Sequence, residues 1–165
     1  MLDIAQKYVD QLKIKFLEAT YDEKYKYYQS GWSDEYQPTN STWHAHEFVS
    51  LNSHGEVIGY IAYSINRNDY SASNLKIINF TNNKVVFGKD VVQAIKDIFL
   101  KYKFRKISYY VYIGNPIERS YDRLTAKYGG KIVGIKEKED RLQDGEFYDC
   151  KIYEILRERF LERME

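Results

Sequence analysis

The stretch that decides the fold runs from Tyr109 to Gly134 and reads YYVYIGNPIERSYDRLTAKYGGKIVG. Its apolar first part indicates a strand that stops at Gly114-Asn115-Pro116, and Gly129-Gly130 precedes a second apolar run. Between them the spacing is helical, with an inward face made of Ile117, Tyr121, Leu124 and Tyr128. Asn115 suits the cap of this helix and Pro116 its first turn. The stretch therefore predicts a strand, a helix and a second strand.

The segment before this stretch predicts a crossover between two parallel strands. LKIINFT, from Leu75 to Thr81, has the pattern of a strand, and Gly88-Lys89-Asp90 opens a helix with one apolar stripe. The strand from Ile107 to Ile113 is apolar or aromatic on both faces, as expected where both faces are covered. A strand, helix and strand of these lengths favour a right-handed parallel connection. The sheet is therefore predicted to be mixed.

The remaining segments predict a first helix and antiparallel strands. Apolar residues from Asp3 to about Ala19 recur at helical spacing, and residues 30–42 are polar and typical of a loop. HEFVSLN and VIGYIAYSI alternate around Ser53-His54-Gly55-Glu56, which suits a hairpin turn. KIVGIKEK and EFYDCKIYEIL form a closing hairpin around Gln143-Asp144-Gly145, and RERFLERME predicts a charged tail helix.

These elements indicate one domain of the α/β (α+β) class. We expect a twisted, mostly antiparallel mixed sheet with a central parallel crossover and helices on both faces. Residues 1–42 would be a helical segment, residues 43–156 the sheet core and residues 157–165 the charged tail. A chain of 165 residues is long enough to bury one continuous core.

Composition excludes several classes of partner. The chain has 25 basic and 24 acidic side chains, so no global charge favours nucleic acid or an anionic membrane. No apolar run is long enough to span a bilayer, and the amino terminus is charged throughout. The single cysteine, Cys150, fits a reducing compartment, so we expect a cytoplasmic protein.

The order of elements from Phe48 to Leu156 resembles the GCN5-related N-acetyltransferase (GNAT) family. Its most specific part is the opening stretch, because members of that family commonly have a strand ending in Asn, a helix carrying Tyr and a Gly before the next strand. The resemblance implies transfer of an acetyl group from acetyl-coenzyme A to a primary amine by direct attack in a ternary complex. The acceptor would be a small molecule or a peptide, and a homodimer is compatible with the sequence.

The resemblance also implies where the cofactor binds. Pantetheine would enter between the strands LKIINFT and SYYVYIG and contact Ile78, Asn79, Phe80 and Asn115. The pyrophosphate would bind the amides at the following helix start, assigned to Phe87, Gly88, Lys89, Asp90 and Val91. The family's glycine-rich signature is reduced here to FGKDV, so Gly88 or Asp90 as an ordinary helix cap is the competing interpretation. For Asn115 the competing interpretation is the helix cap alone.

For the chemistry, the resemblance implies Tyr121 as the general acid that protonates the leaving thiolate. A tyrosine that only fills the core is the competing interpretation. The helix also runs about one turn longer to its glycine than is usual in the family, and Tyr128 is the next candidate if this length shifts the register. The central strand offers no carboxylate as a base, which leaves His46, Glu47 and Asp69 as candidates by position. The amine could also lose its proton to water before it binds.

Other functions compete with acetyl transfer. A relative of this fold without catalysis, serving as a binding or regulatory module, is the main alternative, since the phosphate turn is degenerate. His44 and His46 alternate on one strand face, but no third ligand with suitable spacing accompanies them, so no metal is expected. Cys150 is interpreted as a small core residue rather than a nucleophile. KYKFRKISYY fits a helix end and a buried strand better than a surface for single-stranded nucleic acid.

Overall fold

A computed structural model describes residues 1–28, 36–37, 39, 41–82 and 84–164. The strands are β1 (Leu2–Ile4), β2 (Ala45–Leu51), β3 (Val57–Asn66), β4 (Ser71–Asn79), β5 (Lys106–Tyr112), β6 (Lys131–Arg141) and β7 (Phe147–Leu156). The α-helices are α1 (Val9–Thr20), α2 (Lys84–Leu100), α3 (Glu118–Lys127) and α4 (Arg157–Glu162), and short 3-10 helices span Ala5–Lys7 and Glu23–Tyr25. Most of the loop predicted at residues 30–42 lies outside the described residues.

These seven strands form one sheet in the order β1-β2-β3-β4-β5-β7-β6. Every neighbouring pair is antiparallel except β4 and β5, which α2 connects in the parallel sense. This parallel pair is short, because it joins only Ser71–Ser73 to Lys106–Ser108 within the described chain. The mixed sheet and its central crossover are confirmed.

The sheet has helices on both faces. On one face, Phe99 and Phe104 from the α2 region pack with Tyr109, Tyr153 and other buried side chains of β5 and β7, and this cluster also includes residues of α3 and α4. On the other face, Leu12 of α1 packs against β2, β3 and the end of β4. In this cluster α1 packs against β2, β3 and β4, and no described residue of β5 belongs to it.

The start of β4 differs from the sequence prediction. The sequence pattern predicts a strand from Leu75 to Thr81, whereas the strand begins at Ser71 and ends at Asn79. Ser71 and Ala72 are buried and pair with Asn66 and Ile65 of β3. Backbone pairing with strands on both sides outweighs the weak strand preference of serine and asparagine.

The start of α2 also differs. The helix begins at Lys84, so Gly88 lies in its second turn rather than at its start. Phe87 is buried, and its ring lies so close to Gly59 of β3 that an added Cβ there would clash with it. Burying a phenylalanine contributes about 1.5–3 kcal/mol, whereas a glycine inside a helix costs about 0.5–1 kcal/mol. The packing of Phe87 therefore outweighs the breaking tendency of Gly88.

The amino-terminal segment differs as well. Leu2–Ile4 is a strand paired with β2, and α1 begins only at Val9. The Asp3 carboxylate accepts hydrogen bonds from Lys7 and Tyr8. The hairpin of β2 and β3, the closing hairpin and the tail helix are confirmed.

The turn between α3 and β6 explains the double glycine of the opening stretch. Gly129 ends α3 with a φ of +69°, a conformation that favours glycine, and the Gly130 N–H donates to the Thr125 carbonyl. An added Cβ at Gly130 would lie 2.7 Å from the Glu154 carbonyl oxygen, whereas at Gly134 of β6 it would meet nothing within 4 Å.

We therefore expect Gly130→Ala to destabilise the fold by about 1–3 kcal/mol, the usual cost of forcing bulk into a packed site. Gly134→Ala is the matched control and should change stability by less than about 0.5 kcal/mol. Thermal unfolding of the two variants beside the parent protein measures the difference. Equal melting temperatures would contradict the close packing of α3, β6 and β7 at this turn.

Candidate active site

A cavity of about 650 Å³ opens where β4 and β5 diverge beyond their short parallel pair. Its walls come from the middle of both strands, from β2 and β3, from α1 and the segment after it, and from α3. Many of the lining side chains are aromatic, and they include Phe16, Tyr27, Tyr28, Tyr36, Tyr60, Tyr110, Tyr112 and Tyr121. The cavity therefore joins the two faces of the sheet and is lined by both aromatic and polar side chains.

Asn115 lines this cavity just before α3. The residue is buried, and its side-chain oxygen accepts a hydrogen bond from the Ile117 N–H at 3.1 Å. Its backbone carbonyl oxygen accepts from the Glu118 N–H at 2.9 Å. The side chain thus stabilises the turn that leads into α3 rather than capping the first turn of the helix. Its amide nitrogen makes no hydrogen bond to a described residue.

Tyr121 combines the two interpretations that the sequence left open. Its ring packs edge-on against Tyr109 and Tyr153, with centroids 5.7 and 6.3 Å away, so it belongs to the core. Its side chain also lines the cavity, and its hydroxyl has no hydrogen-bond partner among the described residues. Burial, with smaller effects from Tyr28 and Tyr109, raises the pKa of Tyr121. The phenol therefore stays protonated at neutral pH.

Tyr128, the alternative if the register were shifted, does not reach the cavity. Its ring packs on Phe160 of α4 with centroids 5.0 Å apart, and its hydroxyl is buried without a hydrogen-bond partner in the described chain. One turn earlier, Thr125 bonds the Tyr109 hydroxyl at 2.6 Å and donates to the Tyr121 carbonyl. Among the tyrosines of α3 and its carboxyl end, only Tyr121 lines the cavity within the described residues.

Glu47 of β2 supplies a carboxylate to the cavity. The Tyr36 hydroxyl donates to it at 2.7 Å, and the Thr39 N–H donates to the same carboxylate at 3.3 Å. Tyr36 is itself held by stacking on Phe16, with centroids 5.0 Å apart. Burial first, and the Glu47 carboxylate second, raise the pKa of Tyr36. No basic side chain among the described residues forms a salt bridge with Glu47, so its charge faces the cavity uncompensated.

His46 and Asp69 lie elsewhere. Adjacent residues of a strand point to opposite faces, and His46 is not among the residues lining the cavity. Its ring packs on Tyr102 at 4.4 Å and its Nδ1 bonds the Tyr63 hydroxyl at 2.8 Å. Burial, with the charges of Arg67 and Lys101, lowers the pKa of His46. Asp69 is exposed and accepts a hydrogen bond from the neighbouring Ser71 hydroxyl.

Of the three pantetheine candidates on and after β4, only Ile78 lines the cavity. The Asn79 side chain accepts from the Thr81 N–H and so shapes the turn before α2. Phe80 packs against Phe16 with centroids 5.5 Å apart. Asn79 and Phe80 thus serve the local turn and the α1 packing.

The phosphate turn assigned to residues 87–91 rested on a helix start that the structure places at Lys84. Phe87 is in the core, and Gly88 and Lys89 lie in the second helical turn. Asp90 accepts a hydrogen bond from the Ser50 hydroxyl at 2.6 Å, and Val91 packs beside the core. The first turn of α2 comprises residues 84–86 and Phe87. The helix start predicted at Gly88 is therefore wrong by about one turn, and the contact of this region with pyrophosphate stays a prediction.

Lys76 is a charged residue of the cavity lining that the sequence analysis did not indicate. It lies on β4 inside a run whose pattern predicts a plain strand, and its role depends on strand register, which one sequence does not reveal.

The described residues contain no group of three His, Cys, Asp or Glu side chains that could hold a metal ion. None of their helices is long and apolar enough to cross a membrane. Cys150 is buried, and burial raises its pKa to about 11.

Solved structures share this architecture. A mutant of the spermidine N-acetyltransferase SpeG from Vibrio cholerae matches with a TM-score of 0.73 and 22% identity, over 100% of this chain and 99% of that chain. Mutant forms of the spermidine/spermine N-acetyltransferase SpeG from the same organism match with a TM-score of 0.74 and 20% identity, over 100% and 98%. The chain has the fold of an N-acetyltransferase.

The N-acetyltransferase fold therefore extends over the whole chain, including the segment before Phe48 that the sequence resemblance did not cover. A manganese complex of SpeG from Vibrio cholerae also matches, with a TM-score of 0.71 and 22% identity over 100% and 96% of the two chains. No protein-family model and no curated protein matches this sequence. At these identities the likeness establishes the N-acetyltransferase fold and leaves the acceptor to be argued from the cavity.

Proposed function

We propose that this protein transfers an acetyl group from acetyl-coenzyme A to a primary amine of a small molecule. The observation that carries the proposal is the cavity between the diverging strands β4 and β5, which brings together Tyr121 and Glu47 from opposite faces of the sheet. A general acid on one side and a carboxylate on the other can protonate the leaving thiolate and deprotonate the amine during transfer from a thioester.

The residues present fit the cofactor. Beyond Ser73, the side of β4 that faces β5 has no ladder partner in the described chain, so its backbone groups can pair with the amides of pantetheine. The Asn115 amide nitrogen can donate to the same arm. The first turn of α2 suits the pyrophosphate, since a helix start favours an anion. When bound, acetyl-coenzyme A supplies the thioester whose acetyl group is transferred.

Tyr121 gives its proton to the sulfur as the carbon–sulfur bond breaks. Its raised pKa keeps the phenol protonated throughout the neutral range, so the acid form is always the one available. The packing against Tyr109 and Tyr153 holds the ring in one position. Orientation by the core and proton donation into the cavity are then two uses of the same side chain.

Glu47 receives the proton that the amine must lose, directly or through a water molecule. The amine arrives mostly as an ammonium ion at neutral pH, because a primary alkyl amine has a pKa near about 10.4. An uncompensated carboxylate among aromatic rings attracts this cation, and the rings add cation–π attraction. Tyr36 and Thr39 hold the carboxylate in place. We assign this role to Glu47 rather than His46, because Glu47 lines the cavity.

The class of acceptor follows from size as well as charge. The structural neighbours are described as spermidine or spermidine/spermine N-acetyltransferases, which makes small aliphatic amines the first class to test. A cavity of about 650 Å³ must hold both the acetyl end of the cofactor and the acceptor amine. This volume favours a small molecule over a folded protein substrate.

The cofactor part of the proposal predicts stabilisation by acetyl-coenzyme A. At about a hundredfold excess over its dissociation constant, linkage adds ~2.7 kcal/mol to the free energy of unfolding. For a domain of this size that raises the melting temperature by roughly 5–11 °C. Thermal unfolding with acetyl-coenzyme A, and with adenosine monophosphate as a control, measures it. No shift at millimolar acetyl-coenzyme A would contradict the proposal, and a shift without turnover on any amine would indicate the binding module instead.

A further inference from the structure

One row of residues crosses three strands and faces the cavity. Glu47 of β2 pairs directly with Ala62 of β3, and Ala62 pairs directly with Lys76 of β4. All three line the cavity. Directly paired residues of neighbouring strands share one face of the sheet, so a carboxylate and an ammonium group flank a methyl group. Neighbouring strands lie about 4.7–4.9 Å apart, which separates the two charged residues by roughly 10 Å at the backbone.

Both charges lack an ionic partner within the described residues. Lys76 is exposed and makes no hydrogen bond or salt bridge to a described residue, while Glu47 accepts hydrogen bonds from the neutral donors Tyr36 and Thr39. They are also the only charged groups among the described residues that line the cavity. The described part of the lining thus presents one negative and one positive group to whatever fills the space over Ala62.

We propose that the acceptor is a small primary amine that also carries a carboxylate, which Lys76 binds while Glu47 binds the amine. The inference rests on the proposed acetyl transfer and names its acceptor class. A diamine or polyamine bound at Glu47 places a second cation beside Lys76, where like charges repel. An amino acid satisfies both groups, and Ala62 between them leaves room for its aliphatic chain.

The span between the charges limits the length of the acceptor. If the two side chains project in parallel, two hydrogen bonds of about 2.8 Å leave roughly 4–5 Å between the bound nitrogen and the carboxylate oxygen. This spacing suits an amino acid with its amine two or three carbons from the carboxyl group. It also leaves the attacking nitrogen on the Glu47 side of the row.

Three amines of similar chain length test the proposal: 4-aminobutyrate, butylamine and 1,4-diaminobutane. With the wild-type protein we expect kcat/KM for 4-aminobutyrate to exceed that for the other two by about 10–100-fold, the usual value of a hydrogen bond between charged groups. Lys76→Met should remove the advantage over butylamine. Lys76→Glu should reverse the preference in favour of 1,4-diaminobutane. Lys131→Glu makes the same charge change on the exposed strand β6, outside the cavity, and should keep the wild-type order.

Binding is measured separately, by saturation-transfer NMR of each amine with the protein alone. If no amine is acetylated but 4-aminobutyrate binds in a Lys76-dependent way, the proposed transfer fails, and what stands is the ligand class, a small amine whose carboxylate Lys76 binds. If amines are acetylated, with 1,4-diaminobutane preferred by the wild-type protein or the same order in Lys76→Glu, the acceptor class is overturned and the transfer stands. If no amine is acetylated and none binds, both proposals fail. Melting curves of both Lys76 variants confirm that they are folded.

Discussion

Tyr121→Phe should lower the rate of acetyl transfer at saturating acetyl-coenzyme A by ~10²–10⁴-fold, the usual range for the loss of a general acid. The substitution removes one oxygen and keeps the ring that packs on Tyr109 and Tyr153. Its hydroxyl has no hydrogen-bond partner among the described residues, so the fold should lose little stability. The measurement is the rate of thiol release, with the cofactor-induced melting shift showing that binding survives.

Tyr128→Phe is the matched control for this experiment. It removes the hydroxyl of another buried tyrosine at the carboxyl end of α3, one that also lacks a partner in the described chain and does not line the cavity. We expect turnover within about threefold of the wild-type protein and unchanged or slightly higher stability, since an unsatisfied buried polar group costs about 1–3 kcal/mol. If Tyr128→Phe lost turnover and Tyr121→Phe kept it, the assignment of the acid would be wrong.

Glu47→Gln should lower kcat/KM at neutral pH by about 10²-fold or more, because the variant neither attracts the ammonium ion nor receives its proton. The amide oxygen of glutamine can still accept from Tyr36 and Thr39, so the local structure should persist. The activity of the variant should rise about tenfold per pH unit towards the pKa of the amine, near about 10.4, because water then removes the proton. The wild-type protein should show a weaker dependence.

Glu158→Gln provides the control, since Glu158 is an exposed carboxylate on α4 outside the cavity. It should leave both the rate and its pH dependence unchanged. Tyr36→Phe tests the positioning of Glu47 separately from its role as a base, because it removes one hydrogen-bond donor to the carboxylate and leaves the carboxylate in place. It should lower kcat/KM by less than Glu47→Gln does. A pH profile of Glu47→Gln that runs parallel to the wild-type profile would show that Glu47 takes no part in deprotonation.

Periodicity and turn residues were enough to predict most of this fold. The opening stretch predicted β5, α3, the glycine-ended turn and β6, because each boundary carries its own local signal at Asn115, Pro116 or Gly129. The errors fell where local signals and tertiary packing disagree. Ser71 belongs to a strand because β3 pairs with it, and α2 starts before Gly88 because Phe87 packs on Gly59. No local pattern encodes either contact.

The part of the candidate site whose residues lie close together in the sequence could be predicted. Asn115 and Tyr121 lie close together in the sequence, and both line the cavity. Glu47 was one of three candidates by position, and alternation along β2 separates it from His46. Lys76 could not be identified from the sequence, because its candidate role depends on its position two strands from Glu47 in one row of the sheet. Register across three strands is a property of the assembled sheet.

The short pairing of β4 with β5 has a consequence for how such a chain can change over evolutionary time. The gap exists because two backbones separate, so replacing side chains in its lining alters what happens there without closing it. Turnover can therefore be lost through one or two substitutions while the space, and an affinity for whatever fits it, persists. Acceptor preference can change just as readily, since residues such as Lys76 carry none of the packing that keeps the strands apart.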